Sequence, residues 1–548
     1  MPKPPRKPLA PDLDRRAFLE LCAMAGVSLL PLGGCGDDTA SEAGDTGDAT
    51  EGTGDGDGDG DGDGEGDGDG DGEGDGDGDG EGSDFPLPPI DDGELIDGTR
   101  VFRLTLQTGM VEWVAGYPTQ TYGVNGPVLG PTLRFRKGER VRLEVTNELG
   151  EVSTLHGHGM EVPSASDGGP HQLIAAGETW ITEFDVIQRA GTAWYHPHPM
   201  HETARQVYMG IAGLIYVEDP AQEIELPSTY GVDDFPLVIQ DRRLAADGTH
   251  PYSPGNTPAM FDMMAGMRGE TLLVNGMREA QGVVPRGLVR LRLLNGSNAR
   301  AYNLGFEDNR SFQQIASDGG LLEAPLTTNR VLLTPGERAE ILVDFGEDPS
   351  GATLALRSYS EEVLLRLFQG NAANNMADAL DRSTFHIMTL EVGEPPPATI
   401  TAPDSLMPIE RMVEADADAS RTIALSMMMG NVMINGAQMT ALDAVPEVIN
   451  FQIPLGTTEL WEVTNSSSMA HPLHVHNRHF QVLDVDGQPP PPELAGWKDT
   501  VIVEPGQVVR LMIQFEGTPD PDYPYMFHCH ILEHEDMGMM GQFFLVEA

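Results

Sequence analysis

The sequence has little cysteine and little positive charge. Only three cysteines occur in 548 residues, at Cys22, Cys35 and Cys529, and this number excludes a scaffold built on several disulfides. Lys and Arg together number 33 against 86 Asp and Glu, which gives a net charge of −53. Nucleic acids and anionic lipid surfaces bind basic patches, so this balance argues against either as the main partner. We expect the acidic excess to keep the protein soluble.

The sequence also lacks a hydrophobic run of membrane-spanning length near its start. The mostly apolar segment from Ala17 to Leu32 is too short for a stable transmembrane anchor. It follows Arg15-Arg16 and ends in Leu32-Gly33-Gly34-Cys35, so residues 1–35 resemble a twin-arginine export signal with a lipobox. This resemblance implies the twin-arginine export machinery as a partner, a lipid tether on Cys35, and a periplasmic or cell-envelope location. Plain cleavage, giving a soluble periplasmic protein, is the alternative.

Residues 36–84 are nearly pure Asp-Gly repeat. They carry 21 acidic residues and no basic ones. Such a segment cannot bury a core, and its like charges repel, so we expect a disordered acidic linker. Weak, nonspecific binding of divalent cations is a secondary possibility, because no apolar flank or spaced glutamate completes a calcium-binding loop.

Residues 85–548 contain a repeat whose period is a whole domain. Val141–Asn147, Val289–Asn295 and Leu460–Asn465 are similar alternating segments. Pro335-Gly336 and Pro505-Gly506 each lead into a second repeated strand. Frequent Gly and Pro turns between short alternating strands indicate Greek-key β-sandwiches. The sequence therefore predicts an all-β chain of three consecutive sandwich domains, at residues 85–219, 233–395 and 415–548.

Cys529 anchors the most informative stretch, residues 528–540. No other cysteine follows residue 35, so Cys529 is a buried apolar residue, a nucleophile or a metal ligand. His534 follows five residues later and Met539 ten residues later. A thiolate, an imidazole and a thioether are the soft ligands of a blue copper site with a weak axial sulfur. His471, in a distant segment, is the candidate for the second imidazole that such a site needs.

Four His-x-His pairs accompany this stretch. In a strand, the two imidazoles of such a pair lie on one face, where they suit copper or zinc. For a strand at 526–531, Cys529 would face one way and its two histidine neighbours the other. Any single pair has an ordinary structural explanation, and a zinc or cupin-like site is the competing metal centre. However, four pairs supply eight imidazoles, too many for one tetrahedral zinc. They are His156/His158, His196/His198, His474/His476 and His528/His530.

These motifs resemble those of the three-domain multicopper oxidases, which include laccases, bilirubin oxidases, bacterial cuprous oxidases and spore-coat laccases. The resemblance covers about residues 95–548 and implies cupredoxin-like domains. One departure is Gly157, which stands where an aromatic residue is common. The four motifs are Leu155-His156-Gly157-His158-Gly159, Trp194-Tyr195-His196-Pro197-His198, His471-Pro472-Leu473-His474-Val475-His476 and the run from His528 to Met539.

The resemblance further implies four copper ions and a reaction. A type 1 copper would take one electron at a time from phenols, aromatic amines or Cu(I), and a trinuclear cluster would reduce O₂ to water. Asp167 and Glu535 match family carboxylates that deliver protons to the cluster. The implied ligands are His471, Cys529, His534 and axial Met539 for type 1; His156 and His474 for type 2; and His158, His196 and His530, with His198, His476 and His528, for the type 3 pair.

The substrate side is less well defined by the sequence. Met469 matches a family methionine that binds incoming Cu(I), but Ser467 stands where the family has an aspartate. Met260, Met263, Met264 and Met267 have helical spacing, which would gather four thioethers on one side of a helix. We expect the middle domain to be a spacer without metal ligands, and the protein to be a monomer. A periplasmic copper-binding, copper-tolerance or electron-carrier protein without substantial turnover, or a scaffold-like relative without copper, is the alternative.

Overall fold

The computed structural model describes residues 86–363, 384–396, 400–428 and 430–548. The predicted export signal and acidic linker lie outside this part of the chain. None of the helices within the described residues has the length and apolar character needed to span a lipid bilayer. The described strands form six sheets, two in each of three successive stretches of chain, so the all-β prediction of three sandwiches is confirmed. The exact domain limits stay a prediction.

The first sandwich pairs two five-stranded sheets. One has the strand order β1-β5-β10-β9-β7, and the other has the order β2-β3-β6-β8 with β4 paired to β3. Buried aromatic rings fill the space between the sheets, with Phe102 and Phe184 both packed against Phe135. The strands are β1 Ile90–Asp91, β2 Glu94–Ile96, β3 Thr99–Val114, β4 Tyr117–Val124, β5 Thr132–Arg136, β6 Arg140–Asn147, β7 His156–His158, β8 Thr179–Asp185, β9 Gly191–His196 and β10 Gly213–Glu218.

The middle sandwich has a seven-stranded sheet, β13-β12-β11-β15-β20-β17-β18, and a five-stranded sheet, β14-β22-β21-β16-β19. Its own apolar core lies between them. The strands are β11 Asp234–Arg242, β12 Thr271–Val274, β13 Met277–Arg278, β14 Gln281–Val284, β15 Leu288–Asn295, β16 Tyr302–Phe306, β17 Phe312–Ser317, β18 Gly320–Thr328, β19 Val331–Leu333, β20 Arg338–Asp344, β21 Thr353–Tyr359 and β22 Thr384–Val392.

The last sandwich has the strand orders β24-β23-β26-β30-β28 and β25-β32-β31-β27-β29. Trp461 is fully buried at its centre, with Phe451, Phe515 and Phe527 around it. The strands are β23 Ala419–Met428, β24 Asn431–Ile434, β25 Asn450–Pro454, β26 Thr458–Asn465, β27 His471–Val475, β28 Phe480–Val485, β29 Thr500–Val503, β30 Val508–Gln514, β31 Tyr525–Cys529 and β32 Met540–Val546.

Three short α-helices lie between strands in the described residues: α1 Thr203–Met209, α2 Met260–Ala265 and α3 Leu532–Asp536. Single-turn 3₁₀ helices cover Ser164–Ser166, Ser360–Glu362, Glu414–Asp416, Glu447–Ile449 and Pro492–Leu494. Helix α3 directly follows the Cys529 strand and contacts both α1 of the first sandwich and α2 of the middle one. The three sandwiches therefore meet around α3.

The repeated asparagine has the same structural role in each sandwich. Asn147, Asn295 and Asn465 end strands β6, β15 and β26, which hold equivalent places in their sheets. Each side-chain amide donates to two backbone carbonyls, at distances of 2.7–2.9 Å. Each side-chain oxygen also accepts the N–H two residues later. The amide thereby satisfies buried backbone groups at the turn after the strand, which explains why the residue recurs.

Candidate metal centres

Cys529 lies in a buried group with two imidazoles. Its Sγ is 3.5 Å from Nδ1 of His471 and 3.7 Å from Nδ1 of His534, and all three side chains are fully buried. An ion held at roughly 2.3 Å from sulfur and 2.0 Å from nitrogen in a trigonal arrangement would separate these atoms by about 3.7 Å. The three atoms thus fit one metal ion.

Backbone hydrogen bonds bring the fourth predicted ligand of this centre, Met539, to the same place. The N–H of Cys529 donates to the carbonyl of Met539 at 3.1 Å, and the N–H of Met539 donates to the carbonyl of His534 at 2.9 Å. The Met539 side chain is fully buried in the same apolar cluster as Cys529. Helix α3 and the turn after it therefore fold the sequence spacing of five and ten residues into one compact site.

The chemistry of the Cys529 centre favours a bound cation. Burial raises the pKa of the Cys529 thiol, so the thiolate needs a positive charge beside it. Burial also lowers the pKa of His534 to about 4 and that of His471 well below its ordinary value, which leaves both imidazoles neutral and able to bind metal. Nε2 of His471 lies 2.9 Å from Ser467 Oγ, and Nε2 of His534 lies 3.0 Å from the Met264 carbonyl. Such partners fix the tautomer in which Nδ1 is free for an ion.

The eight histidines of the four pairs form a second buried centre between the first and last sandwiches. Strand β7 pairs with β9, and β27 pairs with β31, so histidines stand opposite each other within each sheet. All eight are at most 1% exposed. Their nitrogens approach closely: Nε2 of His528 is 3.1 Å from Nε2 of His476 and 3.3 Å from Nε2 of His198. Ligand nitrogens at ~2.0 Å from one ion in a tetrahedral arrangement lie about 3.3 Å apart, so these distances fit metal binding.

The outward nitrogens of this centre are largely bound to the protein. His156 and His474 place Nδ1 at 2.8 Å and 2.9 Å from the carbonyls of Asp167 and Asp499. His196 Nδ1 lies 2.8 Å from a carbonyl in the same way. The Nε2 atoms of these three histidines are buried and have no hydrogen-bond partner among the described residues. Buried polar atoms without partners are rare in native proteins, so these nitrogens fit a set of metal ligands. Burial lowers the pKa of all eight imidazoles, which keeps them neutral.

His158 is turned the other way round. Its Nε2 lies 3.1 Å from Oδ1 of Asp499, and its Nδ1 lies 3.2 Å from Nε2 of His530. The atom facing its neighbours in the cluster is therefore Nδ1 rather than Nε2. The carboxylate of Asp499 sets this orientation.

Asp167 and Glu535, the predicted proton donors, lie against the cluster. Asp167 Oδ2 is 2.8 Å from Nδ1 of His476, and burial raises the Asp167 pKa to about 6. Glu535 places one carboxylate oxygen 3.2 Å from Nδ1 of His198 and the other 3.2 Å from Nδ1 of His528. Burial and the neighbouring Asp536 raise the Glu535 pKa well above its ordinary value. Both acids thus contact outer nitrogens of candidate ligands.

The methionines of the substrate side are only partly where the sequence predicted. Helix α2 ends at Ala265, so Met267 lies beyond it and is fully buried; the predicted stripe of four thioethers on one helix is wrong. Met469 is only 2% exposed, within the apolar core of the last sandwich, so an incoming substrate does not reach it directly. Met260 and Met428 are instead 65% and 62% exposed.

Asp499 and Arg338 contribute to the cluster without any motif that marks them. Both are at most 2% exposed, and the two guanidinium nitrogens of Arg338 lie 2.8 Å and 2.6 Å from the Asp499 oxygens. Asp499 in turn contacts His158 and His474. Because they come from different sandwiches and occur as single residues, sequence spacing gives no signal for them.

Buried thiolate and imidazole ligands on a β-sandwich, with eight further imidazoles between two sandwiches, define a copper protein of the cupredoxin type. The comparisons with known proteins agree. Family models described as multicopper oxidase match residues 105–222 and 416–547. The chain is 36% identical to "Multicopper oxidase mco" of Staphylococcus haemolyticus over 450 residues, covering 81% of this chain and 88% of that protein. The chain belongs to the multicopper oxidase family: it is an oxidoreductase with copper cofactors.

Two further similarities frame its function. A laccase-like multicopper oxidase, CueO, from Ochrobactrum sp. has a solved structure with 37% identity and a TM-score of 0.74, covering 84% of this chain and 100% of that one. The chain is also 35% identical to "Cell division protein FtsP" of Dickeya dadantii over 463 residues, covering 84% of this chain and 92% of that protein. Relatives that share this fold are thus named both as oxidases and as a cell division protein. The residues of the site are therefore the basis for the function proposed below.

Proposed function

We propose that the protein couples the one-electron oxidation of a reducing substrate at the Cys529 centre to the four-electron reduction of O₂ to water at the eight-histidine centre. The observation that carries this proposal is the joint presence of both centres with all their histidines buried and oriented. Bound copper supplies reversible one-electron chemistry at the first centre and O₂ reduction at the second.

We assign four copper ions to the two centres. His471, Cys529 and His534, with Met539 as the fourth residue, would hold the type 1 ion. His156 and His474 would hold the type 2 ion, as the resemblance to the family implies, and each has a buried Nε2 available to bind it. His198, His476 and His528 would hold one type 3 ion, and His158, His196 and His530 would hold the other.

The chain itself connects the two centres. His528 and His530 flank Cys529 in sequence, and they face the cluster while Cys529 faces His471 and His534. The backbone therefore links Cys529 covalently to two cluster histidines, His528 on one side and His530 on the other, and offers a short path for electrons. Asp167 and Glu535 sit where a proton is needed, against the outer nitrogens of cluster ligands. Burial raises the pKa of both carboxyls from its ordinary value, which suits groups that take up and release protons beside the cluster.

The decisive experiment is oxygen consumption by the copper-loaded protein, compared with Cys529→Ser. The proposal predicts oxygen uptake with a phenol or Cu(I), and its loss together with the blue absorption in the variant. Equal uptake in the variant would refute the assignment of Cys529. A copper-loaded wild type that shows the blue absorption but consumes no oxygen would favour the alternative, an electron carrier or copper-binding protein without turnover.

The substrate class separates into phenols or aromatic amines and Cu(I). The Ochrobactrum relative is described as acting on lignin model compounds and lignosulfonate, which favours aromatic substrates. Met260 is exposed on helix α2, and the Met264 carbonyl of the same helix accepts a hydrogen bond from His534. Thioethers bind Cu(I), so an exposed thioether on the helix that contacts the Cys529 centre favours Cu(I) as the substrate. Met260→Leu should slow Cu(I) oxidation selectively if Cu(I) is the substrate. Met110→Leu, equally conservative and 55% exposed on β3, is the matched control.

We also propose export by the twin-arginine route and a lipid on Cys35. The sequence of residues 1–35 supports both. Incorporation of a labelled fatty acid in the wild type and not in Cys35→Ala would support the anchor, and a soluble, unlabelled, cleaved protein would contradict it. Separately, we propose the domain limits given above and a monomeric state.

A further inference from the structure

The middle sandwich, which holds none of the candidate metal ligands, contacts the supports of the eight-histidine centre, most directly through Arg338. Arg338 begins strand β20 and is 1% exposed. Its guanidinium grips the Asp499 carboxylate with two bonds, at 2.8 Å and 2.6 Å. It also donates to the carbonyl of Thr192 in the first sandwich at 3.0 Å. Arg338 is therefore a point at which all three sandwiches meet.

Asp499, which Arg338 holds in place, contacts two cluster histidines. One carboxylate oxygen accepts from Nε2 of His158 at 3.1 Å, and its backbone carbonyl lies 2.9 Å from Nδ1 of His474. A planar guanidinium bound through two nitrogens fixes the plane of the carboxylate as well as its position. The orientation of His158, whose Nδ1 rather than Nε2 faces His530, depends on that carboxylate.

The surroundings are built to hold this arrangement. Lys498 lies 2.9 Å from Asp318 and 2.6 Å from Glu337, so the middle and last sandwiches share a fully buried ionic group beside Asp499. Gly159, which follows His158, has φ +83°, and a Cβ at this position would lie 2.5 Å from Nη2 of Arg338. The glycine therefore leaves room for the guanidinium against the His158 segment.

We propose that Arg338 is a positioning residue of the trinuclear copper cluster, acting through Asp499 on His158 and His474. The middle sandwich then determines copper retention at the cluster, beyond the spacer role that its lack of ligand motifs predicts. This inference rests on the proposed function for the identity of the metal.

The test compares Arg338→Met and Arg338→Lys with Arg292→Met in the full chain. Arg292 is a matched control, because it is also buried, bound to a carboxylate of Asp234 at 2.6 Å, and in contact with Thr192 of the first sandwich at 3.1 Å, yet it contacts no candidate ligand. Copper per protein is measured after dialysis against a graded chelator, together with the blue absorption of the Cys529 centre and the electron paramagnetic resonance signal of the non-blue ion.

The proposal predicts roughly 10- to 100-fold weaker copper retention at the cluster in Arg338→Met, with the blue absorption kept. Arg338→Lys keeps the charge but not the two-nitrogen grip, so its loss should be smaller, with an altered non-blue signal. Unchanged retention and signal in both Arg338 variants would overturn the proposal, as would an equal loss in Arg292→Met. If Arg338→Met does not fold, Arg338→Lys decides by the same criteria. A wild type that takes up no cluster copper would instead refute the proposed function.

Discussion

Asp536 caps a helix that belongs to a different sandwich, and its removal should loosen that joint measurably. Its two carboxylate oxygens accept the N–H groups of Thr203 and Ala204, both at 2.9 Å. These residues begin helix α1, whose own N-cap residue, Glu202, makes no side-chain cap. Thr203 and Ala204 are at most 1% exposed, so water does not replace the lost acceptors. Each of the two buried donors left without a partner costs ~1–3 kcal/mol, so Asp536→Ala should lower the local stability by about 2–6 kcal/mol.

Hydrogen exchange reads this change directly. Opening of α1 that is easier by about 2–6 kcal/mol should speed exchange of its amides by about 30- to 20,000-fold. Amides of β15 in the middle sandwich serve as an internal control and should not change. Asp536→Asn keeps one acceptor oxygen and should have an intermediate effect. Exchange rates in α1 equal to those of the wild type in the Ala variant would refute the argument that Asp536 joins the two sandwiches.

Three other predictions concern the same interfaces. Burial raises the pKa of Glu161, but His479 and Arg478 outweigh it and lower that pKa to about 2. Glu161→Gln should therefore cost about 3 kcal/mol near neutral pH, and denaturant titrations should show this difference shrinking as the pH falls from about 4.5 to about 2. Gly168→Ala would bring a Cβ to 1.8 Å from the Leu155 carbonyl, so cluster copper should fall while the blue absorption stays. Chelation of copper should lower the melting temperature of the wild type, since the cluster joins two sandwiches; an unchanged melting temperature would contradict this.

The ligands were predictable because their geometry is local. In a His-x-His pair on a strand, the two-residue period places both imidazoles on one face. Strand β7 holds one complete pair, and β31 holds His528 and ends at Cys529, one residue before His530. The repeated asparagines were also visible, since each supports the same turn and so recurs with the domain. Helix α2 was harder to delimit, because helical spacing continues to Met267 while the helix ends at Ala265. Tertiary packing, which buries Met267 among residues of the first and last sandwiches, overrides that spacing.

The supports of the ligands were not predictable in the same way. A ligand must lie within a bond length of its ion, and a fold achieves that most simply with short sequence motifs. An acceptor for the ligand's other nitrogen needs only to be buried nearby, so it is free to come from any part of the chain. Ser467 lies four residues from His471, whereas Met264 reaches His534 across 270 residues and Asp499 reaches His158 across 341. The identity of the metal centre is therefore encoded locally, while its precise orientation depends on the assembled fold, and substitutions at Asp499 or Arg338 should test the second without altering the first.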